Sequence, residues 1–288
     1  MEIYELNNLT KYNIGNNKKI KLIVSDIEGC LNLDEKTYDH EALEKIRIIN
    51  QLARHDNPIP LVTVCSGRQL PFVEAIIRMI DGKIPAIFEN GCGLFYTDRN
   101  LYNEYEWHPT LHQPEMVSEY DKVKEALSYI CEQTQAKRVI GKEILISIHP
   151  KPPMKIEILY HIVEKTLAEK RLTASVCHSA TAVDIAPHGI DKGTGLTWLI
   201  SVLSKDFSIE LSNVAGIGDS KGDLPFLSLV GFSTSPANAS EDVKKAVIYC
   251  SQEADGKGVV DILDQCIAIN MEYATKEEKY VFNSSRRG

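Results

Sequence analysis

The sequence predicts an α/β protein in which a parallel sheet with helices on both faces is interrupted by an inserted α+β domain. Short apolar runs alternate with segments of helical periodicity near both ends of the chain, as in right-handed βαβ units. Between these regions, from about Leu94, the pattern becomes an irregular mixture of strands and helices. We therefore expect a discontinuous core, residues 1–93 and 183–288, with residues 94–182 as the insertion.

The first segment alternates strand and helix. The run Leu22–Val24 has the continuous hydrophobicity of a strand that is buried on both faces. Leu43, Ile46 and Ile49 then recur at helical spacing until the sequence DNP breaks the helix. The predicted elements are, in order, strand Leu22–Val24, helix Tyr38–His55, strand Leu61–Val64, helix Phe72–Ile80 and strand Ala86–Phe88.

The insertion combines strands and helices without the βαβ order, and the regular alternation resumes after it. Its predicted elements are strands Leu94–Tyr96, Leu101–Trp107, Ile144–His149, Thr173–His178 and Ala182–Ile185, and helices Glu115–Thr134 and Ile156–Lys170. The elements predicted beyond it are helix Gly193–Leu203, strand Val214–Gly218, helix Asp223–Leu229, strand Gly231–Ser233, a helix from about Ser240, strand Ala246–Tyr249 and helix Gly258–Ile269.

Composition and charge exclude several classes of protein. The formal net charge of -8 argues against nucleic acid or an anionic membrane as a bulk partner, because both attract basic surfaces. No window approaches the roughly 18 apolar residues of a membrane span, and the N-terminal sequence lacks a signal pattern, so we expect a cytoplasmic protein. The seven scattered cysteines do not suggest a disulfide framework or a zinc site.

Two carboxylates at the end of the first predicted strand are the first indication of chemistry. Asp26 and Glu28 lie two residues apart, so on an extended chain their side chains point to the same side. Neighbouring carboxylates at the end of a buried strand repel each other unless a cation or a shared proton compensates. The pair therefore suggests metal-assisted chemistry, although an exposed acidic turn would have the same sequence.

Four polar sequences that contain glycine lie at the ends of predicted strands or in the loops between strands and helices. They are DIEG at 26–29, CSGR at 65–68, GIDKG at 189–193 and GDSKGD at 218–223. In a parallel sheet the carboxyl ends of the strands form the ligand-binding edge. Each cluster alone could be an ordinary loop, but their order and complementary chemistry predict one shared site.

With these four motifs in this order, the sequence resembles the haloacid dehalogenase-like superfamily of phosphohydrolases. The similarity extends over about residues 20–265 and is to the branch with a large inserted cap, which includes Cof-type and sucrose-phosphatase-like enzymes. The resemblance implies a Rossmann-like core and an inserted cap domain that begins after the sequence FENG at 88–91.

The resemblance also implies roles for individual residues. Asp26 would be the nucleophile and Glu28 the general acid and base. The implied phosphate-binding residues are Ser66, Gly67 and Lys192. The implied ligands of Mg²⁺ are Asp26, Glu28 through its backbone carbonyl, Asp219 and Asp223.

The activity that follows is Mg²⁺-dependent hydrolysis of a small phosphorylated metabolite, of the sugar phosphate or phosphoglycerate type, through an aspartyl phosphate. We expect the insertion to select the substrate. The candidate contacts there are His149, Lys151, Lys155, His178 and Ser179. A monomer and a homodimer are both compatible with the sequence.

Three positions depart from the family pattern. Glu28 replaces the usual aspartate and adds one methylene, Gly222 replaces a common asparagine, and Cys30 replaces threonine or valine. Glutamate keeps the acid and base function but changes its reach. A phosphate-ligand binding or regulatory protein with weak or no turnover therefore remains an alternative, as does a phosphosugar mutase.

Overall fold

The molecule contains one parallel and two antiparallel sheets, flanked by eight helices among the residues that the structure describes. The structure is a computed structural model that describes residues 19–32, 37–53, 58–97, 104–179 and 181–284. The strands are β1 Leu22–Ser25, β2 Leu61–Val64, β3 Ala86–Phe88, β4 Gly93–Tyr96, β5 Glu104–Trp107, β6 Lys137–Arg138, β7 Ile146–His149, β8 Ala174–His178, β9 Val183–Pro187, β10 Val214–Ile217, β11 Phe232–Ser235 and β12 Tyr249–Cys250. The helices are α1 His40–Leu52, α2 Leu70–Met79, α3 Pro114–Thr134, α4 Ile156–Glu169, α5 Lys192–Phe207, α6 Leu224–Leu227, α7 Glu241–Ala246 and α8 Asp255–Ser284.

The core sheet has the strand order β12-β11-β10-β1-β2, and every neighbouring pair is parallel. Strand β1, which lies between β10 and β2, is buried on both faces. Ile23 packs on the side of α1, α2 and α8, whereas Leu22 and Val24 pack on the side of α5, α6 and α7. The continuous apolar run in the sequence therefore reflects two hydrophobic layers, one on each face.

The order of the strands determines where a ligand can bind. From β1 the chain proceeds to β2 on one side, and the later strands β10, β11 and β12 occupy the other side. The connections after β1 and β10 therefore diverge, which opens a crevice beyond their carboxyl ends. Asp26 follows β1 and Gly218 follows β10, so the two motifs that they begin meet at this crevice.

The insertion is built on a four-stranded antiparallel sheet with the order β6-β7-β9-β8. One face is apolar and packs against α3 and α4, with Ile146 and Ile148 from β7 and Val183 and Ile185 from β9. Residues that alternate with them, such as Ser147, lie on the other face. This sheet is therefore amphipathic, with its polar face free of the helices that cover the apolar one.

The predicted fold class is confirmed: a parallel core sheet carries helices on both faces, and an α+β block is inserted into it. The domain boundaries stay a prediction. Strand β9, which begins just after the predicted boundary at residue 182, pairs with β7 and β8 of the insertion.

Several elements differ from the sequence prediction. Strand β3 was expected in the parallel sheet, but it pairs with β4 in the antiparallel order β3-β4-β5. Beyond the end of β2 it also forms the isolated parallel bridge Cys65↔Ile87. Helix α8 continues to Ser284 rather than ending near Ile269. The predicted strand Leu101–Trp107 begins at Glu104, and its residues 101–103 lie outside the described residues. None of the helices in the described ranges is long and apolar enough to cross a membrane.

Candidate active site

Asp26 is fixed at the carboxyl end of β1 by backbone and side-chain hydrogen bonds. Its N–H donates to the carbonyl of Ile217 at 2.8 Å, which extends the pairing of β1 with β10. Its Oδ1 accepts from the N–H of Ile27 at 2.8 Å. The residue is 5% exposed, so its carboxylate is largely removed from bulk water.

Lys192 supplies the cation nearest to this carboxylate. It is the first residue of α5, whose N-cap Asp191 forms a capping box with Thr194. This cap satisfies backbone donors at the start of the helix and fixes where the helix begins. The Nζ atom of Lys192 lies 2.9 Å from Oδ2 of Asp26 and 2.6 Å from Oδ1 of Asp223.

Asp223 organises the loop that follows β10. Its Oδ2 accepts from the N–H groups of Asp219 and Ser220 and from the Ser220 hydroxyl, at 3.1, 2.9 and 3.0 Å. Its Oδ1 accepts from Lys192, and the residue is fully buried. Both oxygens of Asp223 are thus engaged in holding Lys192 and the loop.

Asp219 approaches Asp26 closely because residue 29 is glycine. Gly29 has a φ of 69°, and a Cβ there would clash with the Asp219 carboxylate. Ligand atoms of Asp26, Asp219 and Asp223 lie within 4.8 Å of one another. Such a set of hard oxygen donors could hold a divalent cation such as Mg²⁺.

The charges of this cluster are unbalanced. Burial raises the pKa of Asp26 well above its ordinary value; Lys192 opposes this, and the negative charges of Asp223, Asp219 and Glu28 add to it. Burial lowers the pKa of Lys192, but Asp223 and Asp26 outweigh it, so that its pKa is raised. One ammonium against three carboxylates leaves a formal charge of −2, which a divalent cation would neutralise.

Glu28 occupies a different environment from Asp26. Its Oε1 accepts from Nε of Arg68 at 2.6 Å, and its Oε2 accepts from Oγ of Ser66 at 3.2 Å. Residue 67 lies between these two partners, and a Cβ there would lie 2.9 Å from Oδ1 of Asn90, so the close approach of Asn90 requires glycine. The CSGR motif at 65–68 therefore binds the second carboxylate of the DIEG motif at 26–29.

A cleft with a volume of about 130 Å³ lies between these strand ends and the insertion. The core contributes Asp26, Glu28, Gly67 and Lys192, all of which the sequence singled out. The residues that complete the lining are Arg68, Gln69, Asn90, Val139, Lys142, Ser147, His149, Cys177, His178, Ser179, Thr181, Ala182, Asp184, Ser220 and Gly222. Ser66, Asp219 and Asp223 stand directly behind this lining, in contact with Glu28, Gly29 and Lys192.

The candidate contacts from the insertion divide into two groups. His149, His178 and Ser179 line the cleft, whereas Lys151 and Lys155 are absent from the described residues that line it. The sequence analysis did not single out Arg68, Lys142 or Asp184. Two of them had a detectable signal: Arg68 belongs to the CSGR motif at 65–68, and Asp184 is a charged residue between the apolar positions of a strand, whereas Lys142 had none beyond its charge.

Comparison with known proteins identifies a family of hydrolases and relatives that are phosphatases. The model of the haloacid dehalogenase-like hydrolase family matches residues 92–263. The chain is 28% identical over 251 residues to a phosphoglycolate phosphatase of Sulfolobus acidocaldarius, covering 86% of this chain and 97% of that protein. It is 25% identical over 248 residues to a phosphoglycolate phosphatase of Methanosarcina acetivorans, covering 85% and 96%.

Solved structures share the fold at lower sequence identity. A protein of Thermoplasma acidophilum superposes with a TM-score of 0.67 at 20% identity, covering 86% of this chain and 99% of that one. The sucrose-phosphatase of Synechocystis, solved with sucrose and phosphate, superposes with a TM-score of 0.60 at 14% identity, covering 86% and 98%. At these identities the likeness extends to the fold alone.

Proposed function

Because the chain belongs to the haloacid dehalogenase-like hydrolases, we propose that it is a Mg²⁺-dependent phosphomonoesterase that acts on a small phosphorylated metabolite. The observation that carries the proposal is the pairing of Asp26 with Lys192 at the carboxyl end of β1, 2.9 Å apart in the cleft. This pair offers a carboxylate nucleophile and a cation for phosphoryl oxygens in one place. The expected intermediate is an aspartyl phosphate on Asp26.

The acidic cluster fits Mg²⁺ in donor type and in charge. The proposed ligands are Asp26, Asp219 and the backbone carbonyl of Glu28, with Asp223 as a further ligand or as the residue that orients the others. Asp223 favours the orienting role, because its two oxygens already accept four hydrogen bonds. When bound, Mg²⁺ would neutralise charge between the anionic nucleophile and the anionic substrate.

The chain's own residues account for both chemical steps. In the first, a carboxylate oxygen of Asp26 bonds to phosphorus while the ester P–O bond breaks, and Glu28 gives its proton to the leaving oxygen. In the second, Glu28 takes a proton from water as the water oxygen bonds to phosphorus. The bond between phosphorus and Asp26 then breaks, which releases phosphate and restores the carboxylate.

Phosphoryl oxygens would be held by Ser66, Gly67 and Lys192. The Ser66 hydroxyl, which now donates to Glu28, can turn to a phosphate oxygen. Lys192 is fixed between two carboxylates, so its ammonium is oriented before the substrate binds. An oriented donor set of this kind stabilises the charge of the transferring phosphoryl group with little rearrangement.

The size of the cleft favours a small leaving group. A volume of about 130 Å³ is close to the roughly 150 Å³ of an engineered cavity that holds one benzene molecule, so it favours a leaving group of few carbon atoms, as in a phosphorylated two- or three-carbon compound. Relatives that match most of the chain are named phosphoglycolate phosphatase, which has such a substrate. We therefore place phosphoglycolate and small sugar phosphates first among the candidates, with the four-stranded sheet as the cap that selects among them.

A second function, ligand binding with little or no turnover, is favoured by one specific observation. Glu28 is held by Arg68 at 2.6 Å and by Ser66, so the residue needed for proton transfer is engaged in an ion pair. If this ion pair persists when the substrate is bound, the protein would bind the phosphate ester without hydrolysing it. Mutase activity has no comparable support in the cleft.

A phosphatase assay on a panel of small phosphate esters, with and without Mg²⁺, separates these functions. We expect phosphate release that requires Mg²⁺ and is lost in Asp26→Asn. Thermal stabilisation by the esters without phosphate release, and turnover gained by Glu28→Asp, would favour the binding function instead. Formation of a positional isomer without net phosphate release would identify a mutase.

A further inference from the structure

The polar face of the four-stranded sheet contributes a second set of charged groups to the cleft. Ser147 on β7 and Asp184 on β9 are directly paired across the sheet, and Asp184 is paired in turn with Cys177 on β8. All three line the cleft. The strand neighbours of Ser147 and Asp184 are buried against α3 and α4, so the alternation of the strands directs these two side chains toward the cleft.

Lys142 joins this face from the loop before β7. Its side chain is only 8% exposed, and its Nζ lies 2.5 Å from Oγ of Ser147 and 3.5 Å from a carboxylate oxygen of Asp184. Oγ of Ser147 also donates to Asp184. Three polar side chains, from the loop before β7, from β7 and from β9, thus form one largely buried network on the cap side of the cleft.

The hydrogen bonds within this network do not use all the N–H donors of Lys142. Ser147 has one proton, which goes to Asp184, so its oxygen accepts from Lys142. An ammonium has three N–H donors, of which Ser147 uses one and Asp184 at most one. Lys142 therefore keeps a donor for the cleft, oriented by Ser147 and Asp184.

We propose that Lys142, Ser147 and Asp184 form the subsite for the leaving group of the phosphate ester. Lys142 donates a hydrogen bond to an oxygen on the carbon chain of the leaving group, and Ser147 and Asp184 are positioning residues for its ammonium. This inference rests on the proposed phosphatase function and adds the class of leaving group: an alcohol that carries a second oxygen, either a carboxylate or a hydroxyl.

Three esters with the same two-carbon skeleton test the subsite. Phosphoglycolate carries a carboxylate, 2-hydroxyethyl phosphate carries a hydroxyl, and ethyl phosphate carries neither. In Lys142→Met, which keeps an unbranched side chain about as long as the lysine stem without its ammonium, we expect kcat/KM to fall about 10- to 100-fold for an ester whose oxygen Lys142 binds. For ethyl phosphate the change should stay within about threefold, because no hydrogen bond is lost.

The three esters are compared within one preparation of each variant, so partial misfolding lowers all rates together and leaves their ratios unchanged. Lys137→Met, on the neighbouring strand β6 and exposed, is the matched control and should leave the ratios as they are. An equal loss for all three esters in Lys142→Met, or no loss for any of them, would overturn the subsite.

Asp184→Asn distinguishes the two kinds of oxygen. It removes a negative charge beside Lys142, so a carboxylate should bind better and kcat/KM for phosphoglycolate should rise relative to ethyl phosphate. If the recognised oxygen is a hydroxyl, it gains nothing from the lost charge, and Lys142 loses the charged partner that orients it, so kcat/KM for 2-hydroxyethyl phosphate should fall relative to ethyl phosphate. Unchanged ratios would overturn the role of Asp184.

Failure of the proposed phosphatase function can be distinguished from failure of the subsite. If the wild-type protein hydrolyses no ester in the presence of Mg²⁺, the phosphatase proposal is contradicted. The subsite can then be tested by calorimetric titration of the protein with the same three esters. Weaker binding of an oxygen-bearing ester to Lys142→Met, with ethyl phosphate unchanged, supports the subsite. Equal affinities in the wild type and the variant overturn it.

Discussion

Oε1 of Glu28 lies 2.6 Å from Nε of Arg68, so the glutamate that replaces the family's usual aspartate is held in an ion pair. Arg68 in turn lies over the ring of Phe72, with its Cζ 4.9 Å from the ring centroid. The other oxygen of Glu28 accepts from Ser66. The Glu28 carboxylate therefore lies against the second motif, beside the hydroxyl proposed to bind phosphate.

Glu28→Gln tests the proton-transfer role directly. Glutamine keeps the length and a hydrogen-bond acceptor for Arg68 but cannot give or take the proton, so we expect kcat to fall about 100- to 10,000-fold. Phosphate release with a substrate of the wild-type protein measures it. Glu74→Gln, which alters a glutamate paired with Arg78 on α2, is the control and should have wild-type activity. A Glu28→Gln variant within threefold of the wild type would contradict the assignment.

Burial of the Asp26 carboxylate should cost stability at neutral pH. In the absence of Mg²⁺ we expect Asp26→Asn to raise the free energy of unfolding at pH 7 by about 1 kcal/mol, because it removes a buried negative charge while Lys192 keeps Asp223 as a partner. Urea unfolding with a chelator present measures the difference. Asp121→Asn, at an exposed position on α3, should produce no gain.

The pH dependence of that difference follows from the raised pKa of Asp26. Above its ordinary value of 3.8, the unfolded chain loses a proton that the folded protein keeps until the pH passes the raised pKa. The wild type is therefore penalised as the pH rises through this window, and the advantage of Asp26→Asn should vanish near pH 3. An advantage that is equal at pH 3 and pH 7 would show that the charge is not its cause.

The local elements were predictable because they depend on local periodicity. Strands Leu61–Val64 and Ala86–Phe88 have the predicted bounds, since each is a short apolar run that ends at polar residues. The partners of a strand depend on the rest of the chain, which is why β3 was assigned to the wrong sheet. Its antiparallel pairing with β4 is set by the tight connection at 89–91 that joins them.

The same distinction applies to the site. The motif that contains Asp26 follows a strand, and the motif that contains Lys192 begins a helix. The order of these elements was therefore enough to predict that the two motifs meet. The network of Lys142 with Asp184 joins a loop to a strand 42 positions later, and no sequence pattern relates the two. The ion pair of Glu28 with Arg68 likewise depends on side-chain position, which periodicity does not specify.

Metal binding should be detectable through stability. Mg²⁺ at 100 times its Kd should stabilise the chelator-treated protein by about 2.7 kcal/mol, because it binds the folded state only. Asp219→Asn should lose most of this gain, since it removes one of the clustered carboxylates. Thermal unfolding with and without Mg²⁺ measures both. Asp242→Asn, whose exposed carboxylate pairs with Lys221, should keep the wild-type response, and an equal response of Asp219→Asn would exclude Asp219 as a ligand.

Glu89 should couple the insertion to the core. The residue is 1% exposed, and its carboxylate accepts from the N–H groups of Glu143, Ile144 and Leu145 at 2.9, 2.8 and 2.8 Å. In Glu89→Gln an NH₂ group replaces one acceptor oxygen, which leaves at least one of these N–H groups without its acceptor and should cost about 1–3 kcal/mol of unfolding free energy.

Hydrogen exchange distinguishes a local from a global effect of this change. We expect the amides of Ile144 and Leu145 to exchange faster in Glu89→Gln by a larger factor than the amide of Val163, which lies in α4 away from the connection. Glu106→Gln, which alters an acceptor for Tyr96 on an exposed edge, should leave all three amides unchanged. Equal acceleration at all three positions in Glu89→Gln would mean that Glu89 stabilises the whole fold rather than the approach of residues 143–145. Because Lys142 immediately precedes these residues, a local loosening should also raise KM for a substrate that Lys142 binds.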